Sequence, residues 1–427
     1  MKKFLKNYKS IIILLAAIII GAIVGIVFKE KAAVLSPLGD IFLNFMFIII
    51  VPLIFLSIST AIAKTKQPKR LGKIMITIIV LFVLTSIVAV FIGIAVTYPI
   101  KLVDPEDGQM IRESLETQTE SVEPVEDQTI LERTVSAITV NDFYGLLSKD
   151  NIIAIIIFSI LFGIAINMAG EKANKLVEVL ESAYAVLLKL IQIIMYYAPI
   201  GLGCYFAALV GTFGGSIAVG YLKTFVLYTV VAILFYIIMY TIYAFIAGGK
   251  RGVVAFWKNI IPTTVTAAAT CSSAASIPVN TEASEKIGVS PDIAETIIPL
   301  GTSFHKDGSI IGSVFKIMFL VCLFGTSAGI GQIIIVALIA NLLITAVPIG
   351  GGTISEMMIL TMMGYPVAAL PILTMIASII DVPATVLNVV GDTSTSMLAA
   401  RIIDGKDWMD KNKKIEKEWN NEEIMKK

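Results

Sequence analysis

Apolar residues in this chain come in long blocks separated by short polar links. They follow neither the strict alternation of a half-buried strand nor the three-to-four spacing of a surface helix. Blocks at 10–28, 41–63, 74–99, 151–168, 178–210 and 217–247 carry few charges. Each matches or exceeds the roughly 18 residues expected of a helix that crosses a bilayer. Six membrane helices are therefore predicted. The first follows a basic start, "MKKFLKNYK". Its apolar run is longer than a signal-peptide core and no small-residue cleavage site follows, so it reads as a retained helix.

The pattern changes after residue 250. Four further segments, 255–287, 291–325, 333–364 and 366–402, are interrupted by glycine, proline and hydroxylated residues. The centres of two of them, "TAAATCSSAASIPVN" and "TAVPIGGGTISE", suit no continuous lipid-facing helix. Irregular backbone at membrane depth is tolerated only where protein or a water-filled cavity surrounds it. Two corresponding interrupted segments also point to a transporter's binding site.

Charge sets the orientation, because lysine and arginine concentrate in short cytoplasmic loops. The N-terminus carries Lys2, Lys3, Lys6 and Lys9, and "KTKQPKRLGK" at 64–73 holds five basic residues and no acid. Placing both inside makes 101–150 an external, exposed loop; between 101 and 133 it holds ten acids and three bases. Lys250, Arg251 and the lysine-rich tail then fall inside. Six helices return the chain to the cytoplasm, so the last third crosses an even number of times. Four full spans satisfy that parity, as do two spans plus two re-entrant hairpins. The texture favours hairpins at 255–287 and 333–364.

Composition adds the class. The chain is 57% hydrophobic and 15% charged, with a net charge of +1, against roughly 25% charged residues in soluble domains. This is a polytopic membrane protein, both termini cytoplasmic. Its basic residues report topology rather than nucleic-acid binding. Cys204, Cys271 and Cys322 lie in apolar or small-residue segments without metal spacing and read as small buried residues.

Candidate chemistry concentrates late in the chain. In "DVPATVLNVVGD", residues 381–392, helical geometry puts Asp381, Thr385, Asn388 and Asp392 within about 60° of one another. A carboxylate near the bilayer centre costs roughly 2.5 kcal/mol or more, so such residues face a cavity, a partner or an ion. Two aspartates on one stripe suggest two cationic guests, such as an ammonium group and a metal ion. The competing reading is a hydrogen-bonded stripe between packed helices. "TCSSAASIPVN" offers Thr270, Ser272, Ser273 and Ser276 beside a break at Pro278, where freed backbone groups suit a carboxylate. "PIGGGT" at 348–353, with Gly350 and Gly351, suits a hairpin tip or lid.

The stretch "IIPLGTSFHKDGSIIGSVF", 297–315, sets His305, Lys306 and Asp307 side by side in an apolar segment. Asp307 followed by Gly308 predicts an unwound turn whose carbonyls face inward, a setting for a hard cation. Thr85 and Ser86, in the third helix, supply further oxygens. His305 alone reads as a satisfied buried histidine. Lys306 lies too far from either end of its span to reach water easily, and is expected to pair with Asp307 or another acid.

With these residues in view, the chain resembles the dicarboxylate/amino acid:cation symporters, the family of the glutamate transporters, over roughly 10–402. "TCSSAASIPVN" matches the family's serine-rich first hairpin. "PLGTSFHKDGS" matches its PLGATxNMDGT with changes. "DVPATVLNVVGD" matches its eighth-helix D-x-x-R-T-x-x-N-x-x-G-D except at the arginine. "NIIAIIIFSILFGIAI" and "YYAPIG" look like its fourth and fifth helices. The resemblance implies an all-α polytopic protein of eight transmembrane helices plus two re-entrant helical hairpins, with the inverted-repeat elevator fold, assembled as a homotrimer in lipid. It implies scaffold helices in 1–73 and 151–216, and an acidic extracellular loop at 101–150. The transport domain is formed by 74–100 and 217–402, with hairpins at 255–287 and 333–364 and helices at 291–325 and 366–402. A cytoplasmic tail follows at 403–427.

Carried over by position, the resemblance implies that Asp381 meets the substrate's α-ammonium. Thr385, Asn388, Ser309, Ser272, Ser273 and the second-hairpin glycines 350 and 351 surround the substrate. Asp392 ligates one sodium with carbonyls of Gly301, His305 and Asn388; Asp307, Thr85 and Ser86 frame another; backbone of Ser303 and the second hairpin hold a further one. Ala384 stands where acidic-amino-acid carriers keep an arginine, and Cys271 where some members keep one instead. An unpaired buried carboxylate is costly, so the expected substrate is a small neutral amino acid such as serine, threonine or alanine. The alternative is an acidic substrate whose second carboxylate pairs with Lys306. His305 and Lys306 replace the family's asparagine and methionine, which makes Lys306 a candidate built-in cation in coupling to sodium ions, with protons as the other candidate. An enzyme is not expected: the sole histidine excludes a multi-histidine metal site, and no Gly-x-Gly-Asp element of membrane aspartyl proteases precedes Asp392. A channel is the remaining alternative.

Overall fold

The computed structural model describes residues 9–63, 71–103, 139–148, 151–213, 215–342 and 352–410. Regular structure among them is helical, with no strand. Isoleucine and valine dominate the apolar blocks, and β-branched residues are mediocre helix formers in water. In lipid the balance shifts, because a helix satisfies every backbone N–H and C=O within its own segment.

The early blocks form α1 (Lys9–Phe28), α2 (Ser36–Ala63), α3 (Leu71–Thr97), α4 (Ile152–Ala169), α5 (Asn174–Phe213) and α6 (Gly215–Asn259). The later segments form α7 (Ile261–Thr270), α8 (Ser273–Ile287), α9 (Pro291–Phe304), α10 (Asp307–Leu323), α11 (Ile330–Leu342), α12 (Gly352–Met363) and α13 (Leu370–Ile403). Stretches within α3, α6 and α13 (Ile76–Thr97, Ile217–Asn259 and, from just before α13, Val367–Ile403) are each long and apolar enough to cross a bilayer.

The described residues fall into two compact units. The first draws on Met1–Thr65, Gly93–Leu227 and Ser313–Ile379. Here α5 packs along both α1 and α2, and α4 packs on α2. Small residues allow the approach: a Cβ on Gly21 would run into the Gly203 carbonyl, and one on Gly25 would sit 2.6 Å from Ala207 O. Tight packing through small residues is how membrane helices associate where lipid removes the hydrophobic drive. The same unit holds α11 and α12, which pack on each other. Ser313 ties the pair, accepting from Asn341 Nδ2 (2.9 Å) and lying 3.4 Å from Ser355 Oγ.

The second unit draws on Lys66–Ile92, Tyr228–Gly312 and Ile380–Lys427. Its interior mixes polar side chains with apolar ones, and its surface carries apolar residues. Ile233 and Ile237 of α6 are about half exposed, whereas Thr393, Ser394, Thr395 and Ser396 of α13 are fully buried. Two differences from the sequence expectation concern boundaries. The segment expected at 255–287 folds as a hairpin from Ile261, because α6 continues past a kink at Gly249 (φ +59°) to Asn259 and Pro262 opens α7. The limbs fold back about Cys271, bringing Thr263 Oγ1 to 3.4 Å from Val279 O. The break expected at Asp307–Gly308 falls instead at His305–Lys306, and Asp307 and Gly308 open α10. An acid is favoured in a helix's first turn. Gly308 is required for contact rather than for unwinding, since any Cβ there would collide with the Ala384 backbone.

Candidate functional site

The break between α9 and α10 organises the polar interior of the second unit. His305 is extended (φ −118°, ψ 114°), and its N–H donates to Gly301 O at 2.8 Å. Two tyrosines of α6 brace the turn. Tyr228 donates to Gly308 O (2.8 Å), and Tyr240 donates to Leu387 O (2.6 Å) while lying 3.3 Å from Asp307 Oδ2.

His305, fully buried, stands between the two aspartates. Its Nδ1 is 3.0 Å from Asp392 Oδ1, and its Nε2 is 3.2 Å from Asp307 Oδ1. The same Nε2 lies 2.8 Å from Thr85 Oγ1. Thr85 donates its own hydrogen to Leu81 O (2.9 Å), so it accepts from the ring. Phe82 stacks on the imidazole at 4.6 Å and 13°. Two buried carboxylate oxygens here, Asp307 Oδ1 and Asp392 Oδ2, make no hydrogen bond.

Along α13 the stripe is asymmetric. Asp392 is buried against Gly301, where any Cβ would strike its carboxylate. Asn388 exchanges two hydrogen bonds with Ser309: its Oδ1 accepts from Ser309 N (3.1 Å), and its Nδ2 donates to Ser309 Oγ (3.0 Å). Thr385 and Ala384 are buried, and Asp381 is half-buried. The thiol of Cys271, at the hairpin tip, turns to Ala268 O at 3.8 Å. Cys271 is left-handed (φ 45°, ψ 36°) and ends α7. Ser272 then caps α8, its hydroxyl accepting from Ala275 N at 3.2 Å. Ser273 is the first residue of that helix.

The structure thus gathers Thr85, His305, Asp307 and Asp392 into one cluster, with Ser86 buried as the next residue of α3, and sets Asn388 against Ser309 on the stripe of α13 that also carries Asp381. Lys306 sits at the break, half-buried, and interacts electrostatically with Asp392. Ser303 lies in the last turn of α9. Gly350 and Gly351 lie outside the described residues.

Among the described residues no group of three or more His, Cys, Asp or Glu side chains is arranged to hold a metal ion. Any cation here would rest on one carboxylate with hydroxyl and carbonyl oxygens, a donor set for a hard ion. The Asp392 end fits that description: Oδ2 makes no hydrogen bond, the carboxylate lies against Gly301, and the Gly301 carbonyl keeps a second lone pair. The Asp307 end fits poorly, because the His305 ring already takes Thr85 and lies within ion-pair distance of Asp307.

Sequence reasoning missed Asn280, Tyr228 and Tyr240. Asn280 of α8 donates to Val389 O (2.8 Å) and accepts from Thr393 Oγ1, fixing the hairpin to α13. An asparagine two residues past Pro278, in a segment already read as interrupted, was the available signal.

Comparison with known proteins bears on this site. A family model described as the sodium:dicarboxylate symporter family matches residues 11–402. The chain is 25% identical over 399 residues to a proton/sodium-glutamate symport protein of Bacillus caldotenax, covering 90% of this chain and 92% of the relative. It is 26% identical over 397 residues to the proton/sodium-glutamate symport protein of Bacillus subtilis (strain 168), covering 90% of each. It is 29% identical over 401 residues to a C4-dicarboxylate transport protein of Rhizobium leguminosarum bv. trifolii (strain WSM2304), covering 91% of this chain and 87% of the relative.

Proposed function

The chain belongs to the sodium:dicarboxylate symporter family, and on that premise we propose that it imports a small neutral amino acid, such as serine, threonine or alanine, by cation symport. The family is one of membrane transporters, not enzymes.

One observation carries the choice of substrate: Asp381 shares its face of α13 with Asn388, and the position one helical turn short of Asn388 is the methyl group of Ala384. A carboxylate on that face suits an ammonium group. The first-turn N–H groups of α8 that the Ser272 cap does not take, at the hairpin tip, suit the α-carboxylate. Asn388 and Ser309 supply directed polar contacts beside them. Ala384 and Cys271 give a second, side-chain carboxylate no cationic partner of their own. Asp392 with Gly301 holds a coupling sodium.

A second reading has its own support. The relatives are named for glutamate and C4-dicarboxylates, and Lys306 is a base at the break. In that reading Lys306 pairs with the second carboxylate of an acidic substrate. A C4-dicarboxylate lacking an ammonium group would bring two negative charges toward Asp381, which favours glutamate or aspartate within this reading.

The proposal extends to architecture: a homotrimer with both termini cytoplasmic, a scaffold of 1–73 and 151–216, and an elevator domain of 74–100 and 217–402. The deciding experiment is uptake by purified, reconstituted protein of serine, threonine, alanine, aspartate, glutamate and succinate, each with and without a sodium gradient. Sodium-driven serine, threonine or alanine uptake that aspartate does not compete supports the neutral reading. Aspartate or glutamate uptake that serine does not compete establishes the acidic one.

A further inference from the structure

Lys306 is the residue the sequence marks as a built-in cation, but the side chain standing among the cation-binding oxygens is that of His305. We propose that the His305 imidazole takes the place of one coupling cation: the position framed by Thr85, Ser86 and Asp307 is filled by the ring and binds no sodium. The inference rests on the reading of the chain as a cation-coupled carrier.

Four observations carry it. The ring nitrogens face carboxylates on opposite sides, Asp392 at 3.0 Å and Asp307 at 3.2 Å, so the ring cannot swing toward one without leaving the other. Thr85 Oγ1 has given its hydrogen to Leu81 O and lies 2.8 Å from Nε2. The face of the ring is pinned by Phe82 at 4.6 Å. Gly391 leaves room beside the ring, since a Cβ there would lie 3.1 Å from His305 Cε1 and 3.0 Å from Asp307 Oδ2.

A hard cation of this size draws its oxygens to roughly 2.3–2.6 Å. Thr85 and Asp307 cannot converge on an ion at that range while the same ring nitrogen stands within 2.8 Å of one and 3.2 Å of the other. The ring also stands between Asp307 of α10 and Asp392 of α13, within 3.2 Å of each, so it performs the bridging that an ion performs. In this carrier the cation position at Asp392 remains and the one at Asp307 is replaced by protein.

The test compares wild type with His305→Asn, whose amide offers an oxygen and vacates the ring's space. Both are reconstituted, and the number of sodium ions per substrate is read from the reversal potential of labelled-substrate flux. Expected is a ratio higher by about one ion in His305→Asn, with a steeper sodium dependence of thermal stabilisation in detergent. An unchanged ratio in a variant that still binds substrate overturns the proposal. Should the variant not fold, the wild type alone decides, by a structure solved in thallium as the ion probe. Thallium density within coordination distance of Thr85 Oγ1 and Asp307 overturns it, and density confined to the Asp392 side supports it. Failure of the carrier reading looks different: no substrate is accumulated by either protein under any cation gradient.

Discussion

Lys316 Nζ lies 2.9 Å from Glu356 Oε1, with both side chains inside the protein at 7% and 1% exposure. The other carboxylate oxygen accepts from Thr374 Oγ1 at 2.7 Å. A charge pair this enclosed is held by mutual compensation, so removing one partner leaves an uncompensated ion. Lys316→Met is expected to destabilise the protein by about 3–5 kcal/mol, whereas Lys316→Met with Glu356→Leu is expected to fall close to wild type. Thermal unfolding of the purified single and double variants checks this. A double variant as weak as the single would show that the pair does more than cancel its own charge.

The reciprocal pair of Asn388 and Ser309 gives a sharper prediction about the substrate face. Ser309→Ala strips the acceptor from Asn388 Nδ2 and leaves a buried donor unpaired, at a cost of about 1–3 kcal/mol. If Asn388 also contacts substrate, affinity falls by about tenfold, the equivalent of 1.4 kcal/mol, beyond the loss in ligand-free stability. Isothermal titration beside ligand-free melting separates the two. Equal affinity in a destabilised variant would make Asn388 a structural residue only.

How much of this was legible beforehand depends on sequence separation. The face shared by Asp381, Thr385, Asn388 and Asp392 follows from helical periodicity over twelve residues and needs no tertiary knowledge. The break near His305 was legible from the clustered charges, although its position was not: Asp307 and Gly308 serve as well at a helix start as in a turn, and only the close approach to Ala384 decides which. The partners of His305 were not legible. Thr85 is 220 residues away and Asp392 is 87, and a lone histidine carries no periodic signal. Lysine drew the cation role because in water it is the stronger base, while the shorter, planar ring is what reaches both acids. Lys316 and Glu356 each interrupt an apolar run, but the 40 residues between them gave no sign of the pairing.

Gly301 opens a route to the ion site that leaves every carboxylate in place. A Cβ at this position would collide with the Asp392 carboxylate. Gly301→Ala therefore moves Asp392 off its present line. If Asp392 Oδ2 holds sodium, the sodium concentration needed for half-maximal stabilisation rises by about tenfold or more, the effect expected from weakening one charged ligand contact by at least 1.4 kcal/mol. Melting curves across a sodium series, with potassium as the control, measure it. Equal shifts in sodium and potassium would reduce the effect to packing.

Ala384 is where substrate class is most open to change. It is buried on α13, one residue before Thr385 and three past Asp381, on the stretch where the resembling carriers of acidic amino acids keep an arginine. If Asp381 receives the ammonium group, Asp381→Asn abolishes binding of every amino acid alike, with a loss of about a hundredfold or more for a buried charge partner. Ala384→Arg should act selectively. A guanidinium offers a carboxylate two parallel hydrogen bonds, and charge-assisted bonds contribute about 1.5–3 kcal/mol, so aspartate affinity should rise by about ten- to a hundredfold while serine affinity falls. Competition of labelled serine uptake by unlabelled aspartate, in wild type and Ala384→Arg, reads both at once. If wild type already prefers aspartate and Ala384→Arg adds nothing, the second carboxylate has another partner, and Lys306→Met becomes the variant that should lose it.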